Sequence, residues 1–242
     1  MRAARFEFQH RFWIILAIYL VGFAFSANDH TSFIGWLRHL IAPSVARETS
    51  AAETFARVVI LSGALLVFVA AAIRTWGAAY LQTDVVHDTA QHSEALVADG
   101  PFRYTRNPLY LASVVMAAGI GVLASRAGFV FLVVANWVFV YRLIFREEEA
   151  LLQSQGESYR AYLDAVPRFW PALQPCVPAS ARAPQWTQAF AGESFVWIFG
   201  LAELLIAITL NARVGLIAFL LAFFAYRIPI RLVQTRRERA RD

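Results

Sequence analysis

Two arginines, two tyrosines, an asparagine and two prolines crowd into Gly100–Leu111, directly ahead of an apolar run. Arginine at a membrane edge is costly to bury and effective at holding an anion. Pro108 suits the first turn of a helix, and Asn107 is a good N-cap type. A helix start exposes unpaired amides and the positive end of its dipole. With Arg103 and Arg106 beside it, this start has the makings of a carboxylate or phosphate site. Anchoring to lipid headgroups explains the arginines equally well from spacing alone. A second polar group, Arg146-Glu147-Glu148-Glu149, follows the next apolar run. On a helix, Asn136, Val140, Leu143, Glu147 and Leu151 share one stripe, while Arg142, Arg146 and Glu149 share another. Glu147 is then the acid most nearly continuous with the buried face. Three successive glutamates past a span oppose the positive charge that topology favours there, although a solvated helix face is the plainer reading. Opposite charges brought to one face suggest a small zwitterionic ligand. In Gln155–Arg168, Gly156 has the makings of a helix stop, Tyr159 and Tyr162 lie one turn apart on a short amphipathic helix, and Pro167 ends it.

The elements that must position these groups are membrane helices. The 242 residues are 59% hydrophobic and contain one cysteine, Cys176, so no intrachain disulfide forms. The mean hydropathy is +0.51 and the pI about 9.8. All of the positive side-chain charge is arginine, and it flanks apolar runs, which fits the positive-inside effect and argues against nucleic acid as a partner. A spanning helix needs about 20 apolar residues, with about 17 as the lower end. Six candidates follow: Arg11–Ala27, Phe55–Ile73, Pro108–Ser125, Ala127–Phe145, Phe195–Leu210 and Val214–Ile230. The third and fourth, and the fifth and sixth, are joined so closely that each pair must be an antiparallel hairpin. No small-x-small cleavage site follows Phe12–Ser26, so this run reads as a retained span. The predicted class is an all-α integral membrane protein of about six spans.

Arginine counting gives the orientation. With both termini inside, Arg2, Arg5, Arg11, Arg74, Arg103, Arg106, Arg142, Arg146, Arg160, Arg168, Arg182 and the tail from Arg227 are cytoplasmic. Only Arg38, Arg47, Arg57, Arg126 and Arg213 lie outside. This N-in, C-in arrangement places Gly100–Tyr110 and Arg146–Pro171 on one face. The predicted organisation is two N-terminal spans over 1–75, a core over 76–171 with its cofactor site on the third and fourth helices, a Pro/Ala/Ser-rich linker over 172–192, and a C-terminal hairpin with basic tail over 193–242. Trp76–Asp99 reads as a cytoplasmic connection. Phe33–Ile41 reads as a short interfacial helix with Trp36 as its anchor.

Taken in order, Leu96-Val97, Gly100-Pro101, Arg103-Tyr104, Arg106-Asn107-Pro108-Leu109-Tyr110, Glu147-Glu148-x-x-Leu151, Gly156, Tyr159, Tyr162 and Val166-Pro167 resemble the isoprenylcysteine carboxyl methyltransferase family. That family is related to the phospholipid N-methyltransferases. The resemblance covers about Arg74–Trp170 and has the character of a general bacterial member. It implies S-adenosyl-L-methionine held at the cytosolic face and a lipid-bearing acceptor entering from the membrane. It implies that Leu96, Val97 and Phe102 line the cofactor pocket, that Asn107–Tyr110 contact the cofactor, and that Glu147 faces it. His87 lies near where that lining begins. The methionine carboxylate suits Arg106 and the Pro108 helix start, and the ammonium and sulfonium suit Glu147 or Glu148. Tyr104, Tyr110 and Phe102 offer aromatic faces to adenine or the sulfonium. Two departures stand out. Relatives carry histidine where this chain has Asn107, which cannot titrate. Many also place an arginine at the position of Leu143, which here has only Arg142 beside it. Either Arg142 substitutes, or the acceptor is not a prenylcysteine carboxylate, and the second is preferred.

The expected function is an integral membrane methyltransferase acting on a lipid or lipid-modified acceptor, a carboxylate first among them. The bilayer and a lipophilic acceptor are its partners, Arg142, Arg146 and Glu148 are the acceptor-side candidates, and the location is the bacterial inner membrane. An amine or hydroxyl acceptor would need a base, for which Glu148 and His92 are nearest. Competing readings are an NADPH-dependent sterol-type reductase and a non-catalytic membrane protein with the C-terminal hairpin as an interaction element; a homo-oligomer through that hairpin is a further expected partnership. The five histidines have no metal-ligand spacing, so no metal is expected. Glu203 lies within the fifth span and should face protein or a cavity; Arg213, Arg227 and a neighbouring subunit all stay open as its partner.

Overall fold

A computed structural model describes residues 2–81, 98–180 and 183–225. Among these the chain is helical without strands, in keeping with the predicted class. The helices are α1 (Arg5–Gln9), α2 (Arg11–Ala24), α3 (Phe33–Ile41), α4 (Ser50–Tyr80), α5 (Pro108–Gly121), α6 (Arg126–Gln155), α7 (Glu157–Ala165), α8 (Trp186–Thr209) and α9 (Ala212–Ala225). Short 3-10 turns occupy Phe25–Ala27 and Gly100–Arg103.

The six-span count is met only in part. Among the described residues, α4, α6 and α8 are long and apolar enough to cross a membrane, while Arg11–Ala27 and Pro108–Gly121 are apolar but shorter. The fifteenth residue onward of the expected third span winds differently. Val122, Leu123 and Ala124 donate to carbonyls three residues back, at 3.2, 3.2 and 2.9 Å, so α5 tightens into the turn that reaches α6. Conversely, α6 does not stop at Phe145. It runs through the glutamates to Gly156, whose φ of 58° is open to glycine at little cost, and α7 starts directly after it. Trp76–Tyr80 belongs to α4 rather than to a connection. The last residues of the expected sixth span, and the basic tail, lie outside the described residues.

Small residues bring the helices together. A Cβ at Gly119 would lie 2.7 Å from the Gly63 carbonyl oxygen, so α4 and α5 touch backbone to backbone. Val67, Ala70 and Ala71 of α4, Ala112, Met116 and Ile120 of α5, and Val196 of α8 form the central core. A second cluster joins Leu111 and Val114 of α5 to Val140 and Ile144 of α6 and to Phe169. Helix α4 therefore packs on both α5 and α8, and α8 in turn on α9. At the bundle end away from Arg106, Ser125 caps α6 by accepting from Gly128 N at 3.1 Å, and Asp29 Oδ2 accepts from Ala127 N at 2.8 Å. That backbone bond, with Arg126 nearby, holds the Asp29 carboxyl below its ordinary range. The short helix expected at Phe33–Ile41 is present as α3, capped by Ser32.

Residues 172–180 are not a free linker. Ala172 N donates to Tyr104 O at 2.9 Å, Cys176 N to Arg103 O at 2.8 Å, and Ser180 N to Asp99 Oδ1 at 2.8 Å. This strap is pinned along Asp99–Tyr104 because the carbonyls of Arg103 and Tyr104 at the end of the 3-10 turn, and the Asp99 carboxylate, need donors. The following helix begins at Trp186, earlier than the expected boundary at 193.

Candidate functional site

At one end of the bundle Arg106, Glu148 and Arg168 meet, delivered by the approach to α5, by α6 and by the segment after α7. Val140, Ile144 and Glu148 form an i, i+4 row on α6 that faces α5. Glu148 is thus the buried acid, 7% exposed, and Glu147 is half-buried beside it. This corrects the stripe read from sequence, in which Glu147 was the buried one. The two rows ending at 147 and 148 are neighbours on the helix, and the packing of Phe169 and Leu111 selects the second.

Glu148 Oε2 accepts from Arg168 Nε at 3.0 Å. Its Oε1 lies 3.2 Å from Arg106 Nε, with both side chains 8% exposed. That second contact is an ion pair without hydrogen-bond alignment, because neither atom has a hydrogen-bond partner. Two guanidinium groups around one carboxylate offset the cost of burying it. Arg106 also donates to Leu163 O at 2.7 Å, and Arg106 N to Pro167 O at 2.9 Å. Thr105 Oγ1 donates to Phe169 O at 3.0 Å. Tyr162 hydroxyl donates to Phe102 O at 2.7 Å. Burial raises the phenol pKa of Tyr159 and Tyr162 above its usual value. The Val166-Pro167-Arg168 turn is thereby stitched to the Thr105–Asn107 approach.

Glu147 has a different partner: Tyr110 hydroxyl donates to its Oε1 at 2.5 Å. Asn107 occupies the N-cap position of α5, but its side chain does not cap. Its Nδ2 donates instead to Arg168 O at 2.9 Å. The expected cap is absent because this carbonyl competes for the side chain, and no side chain caps the first turn of α5. The amides of Leu109 and Tyr110 therefore stay at an uncapped, positively polarised helix start.

On the other side of the Gly100–Arg103 turn lies a cavity of about 460 Å³ lined by Trp76, Tyr80, Asp99, Arg103, Tyr104 and the strap at Ala179. The Trp76 and Tyr104 rings are 5.9 Å apart. Gly100 adopts φ 56°, and the Tyr80 ring occupies the place of a Cβ there.

Arg142 and Arg146 are not part of this cluster. Arg142 Nη2 donates to Glu7 at 2.7 and 2.9 Å, and Arg146 Nη1 to Ala3 O at 3.0 Å. They fasten the N-terminal segment across α6, helped by an Arg2–Glu149 ion pair. The Arg142 bond holds the Glu7 carboxyl below its ordinary range. Leu143, where relatives place an arginine, is fully buried against Ala3, Phe8 and Phe139. His87, Leu96, Val97 and His92 lie outside the described residues. Sequence reasoning did not single out Arg168 as a site residue, although an arginine directly after the Val-Pro stop was a usable signal. It also passed over Glu193, an acid inside an apolar helix.

Residues 58–157 match the family model described as phospholipid methyltransferase. The nickel-cobalt-cadmium resistance protein NccN of Alcaligenes xylosoxydans xylosoxydans is 27% identical over 111 residues, 46% of this chain and 49% of that protein. The cobalt-zinc-cadmium resistance protein CzcN of Cupriavidus metallidurans is 25% identical over 111 residues, 46% of this chain and 48% of that protein. The chain thus spans about half the length of the curated relatives it matches. No solved structure matches it. The matched segment contains the Arg106–Tyr110 approach and both site glutamates, and through it the chain is a relative of the phospholipid methyltransferases, the membrane methyltransferase family to which the isoprenylcysteine carboxyl methyltransferase pattern also points.

Proposed function

We propose that this protein transfers a methyl group from S-adenosylmethionine to a lipid or lipid-modified acceptor at the Arg106 end of the bundle. The observation that carries the reading is the meeting, inside the family-matched segment, of an uncapped helix start and the Tyr110–Glu147 pair; a cavity lined by Trp76 and Tyr104 lies along the approach to that helix. When bound, S-adenosylmethionine supplies an electrophilic methyl on a sulfonium. The side chains present suit it. The open amides of Leu109 and Tyr110 take a carboxylate, Glu147 takes an ammonium or sulfonium charge, and Tyr104 with Trp76 offers ring faces to adenine. Arg106 is already engaged by Glu148 and Leu163 O, so it shapes the site rather than holding the ligand carboxylate. The arginine distribution supports the reading that this end faces the cytoplasm, with the bacterial inner membrane as the proposed location.

A carboxylate acceptor needs no general base. That agrees with Glu148, which is occupied by two guanidinium groups instead of standing ready for a proton. It also agrees with Asn107, which holds the Arg168 carbonyl and cannot titrate. Leu143 packs apolar residues where a prenylcysteine carboxylate would need an arginine, which directs the reading to another lipophilic acid. Orientation of the acceptor and exclusion of water then supply most of the rate enhancement. The two relatives are named for metal resistance. Among the described residues no three His, Cys, Asp or Glu side chains gather as a metal site, and the proposal assigns none.

The test is transfer of label from methyl-labelled S-adenosylmethionine into a bacterial lipid extract by purified protein, with mass spectrometry of the product. A labelled methyl ester of a lipophilic acid is expected. Labelled N-methyl product would overturn the carboxylate choice, and no transfer into any lipid fraction would overturn the function.

A further inference from the structure

We propose that Glu193, on α8 and outside the family-matched segment, is a positioning residue for the Tyr110 turn, acting through Arg74. The inference rests on the methyltransferase reading and extends it, making the C-terminal hairpin a working part of the site. Glu193 is 2% exposed. Its Oε2 accepts from Arg74 Nε at 2.6 Å and its Oε1 from Arg74 Nη2 at 3.0 Å. This two-point geometry fixes the plane of the guanidinium, which a lysine in its place would leave free. Nη1 of Arg74 then donates to Ser113 Oγ at 3.2 Å, and Ser113 Oγ donates to Leu109 O at 3.0 Å. Leu109 lies next to Tyr110 in the first turn of α5. One turn further along α4, Gly77 leaves a notch that the Leu109 side chain fills; a Cβ there would sit 2.6 Å from Leu109 Cδ1.

The route is continuous: α8 sets the Arg74 fork, the fork sets Ser113, and Ser113 with the Gly77 notch sets the turn that aims Tyr110 at Glu147. A second grip follows at once, since Trp197 Nε1 donates to Thr75 Oγ1 at 3.0 Å. Helix α8 thus holds two successive residues of α4 by polar bonds at the level of the site. The deeper contact of α4 with α8, around Val67, Ala71 and Val196, is apolar. An apolar pair would have been cheaper for packing alone.

The experiment uses the full-length protein in detergent, titrated with S-adenosylhomocysteine by calorimetry and melted in parallel. Ser113→Ala leaves the ion pair intact. It is expected to weaken binding several-fold with a melting temperature close to that of the unsubstituted protein. Glu193→Gln is expected to weaken binding by tenfold or more, and Glu193→Asp to recover part of that. In a Tyr110→Phe background Glu193→Gln should cause little further loss, because both act on one group. A merely structural role would lower the melting temperature of Glu193→Gln and leave the affinity of the folded protein unchanged. Unchanged affinity in both Ser113→Ala and Glu193→Gln, or losses that multiply independently with Tyr110→Phe, would overturn this inference alone. Failure of the unsubstituted protein to bind would overturn the methyltransferase reading and this inference together.

Discussion

At the Arg106 end of the bundle Glu148 is buried between two guanidinium groups, whereas on α8 Glu203 is buried with neither carboxyl oxygen hydrogen-bonded among the described residues. Both acids are under a tenth exposed, so burial does not separate them. Neighbours do. Glu148 ends a helix row that meets two arginine-bearing segments, and these arrive together because Thr105, Arg106 and Asn107 are bonded to the Val166–Phe169 turn. Glu203 sits against Gly63, which itself packs on Val122 and the backbone of Gly119, so the carboxyl meets the close backbone contact of α4 with α5. Tyr19, on α2, also has a buried hydroxyl without a hydrogen-bond partner among the described residues. The same residue type is thus part of a closed polar device at one level and an isolated cost at the other. The lesson is that a buried acid identifies a site only together with what encloses it.

The sharpest way to break the contrast is to remove one partner from each side. Glu148→Ala leaves Arg106 buried without its counter-charge and is expected to cost about 3–5 kcal/mol, read as loss of the folded fraction in detergent unfolding. Less severe is Gly119→Ala, whose new methyl would press on the Gly63 carbonyl; about 1–3 kcal/mol of destabilisation is expected from crowding of this kind. Glu203→Gln or Glu203→Leu should go the other way, ranging from neutral to a gain of about 1 kcal/mol, since no partner is stranded and an unsatisfied polar group is replaced. A marked loss of stability in Glu203→Leu would mean that the acid has a partner the contrast denies. The smallest effect belongs to the N-terminal fastening. The Glu7 carboxyl is held below its ordinary range by Arg142, so its contribution is present above the unfolded carboxyl range and is lost as pH falls through the lowered value. Acidification should release α1 from α6, seen as a fluorescence change at Trp13, and Glu7→Gln should be released already at neutral pH.

Much of this was written in the sequence, for local reasons. Pro108 starts α5 and Gly156 ends α6 because one fixes φ and the other tolerates a positive φ. The order of Arg106, Pro108, Tyr110 and the two glutamates then placed the polar cluster at one end of one helical hairpin. What the sequence left undecided depends on partners distant along the chain. Glu147 and Glu148 are adjacent on the helix surface, and only the arrival of Phe169 and Arg168 decides which is buried. Asn107 has the composition of a cap, but a carbonyl some sixty residues away takes its amide. Arg142 and Arg146 carried the charge expected of acceptor anchors and were drawn to Glu7 and Ala3 by an N-terminal segment with no motif of its own. The strap at 172–180 looked like a linker because it bonds chiefly through its own backbone N–H and C=O groups, which leave no side-chain signature.

The central claim is that the Tyr110–Glu147 pair at the uncapped start of α5 receives the adenosyl cofactor. Calorimetric titration of purified protein with S-adenosylhomocysteine, side by side with Glu147→Ala, tests it most directly. The account predicts saturable one-to-one binding that Glu147→Ala abolishes while its melting temperature stays close to that of the parent, because Glu148 and not Glu147 carries the buried ion pairs. Equal binding by both proteins would contradict it.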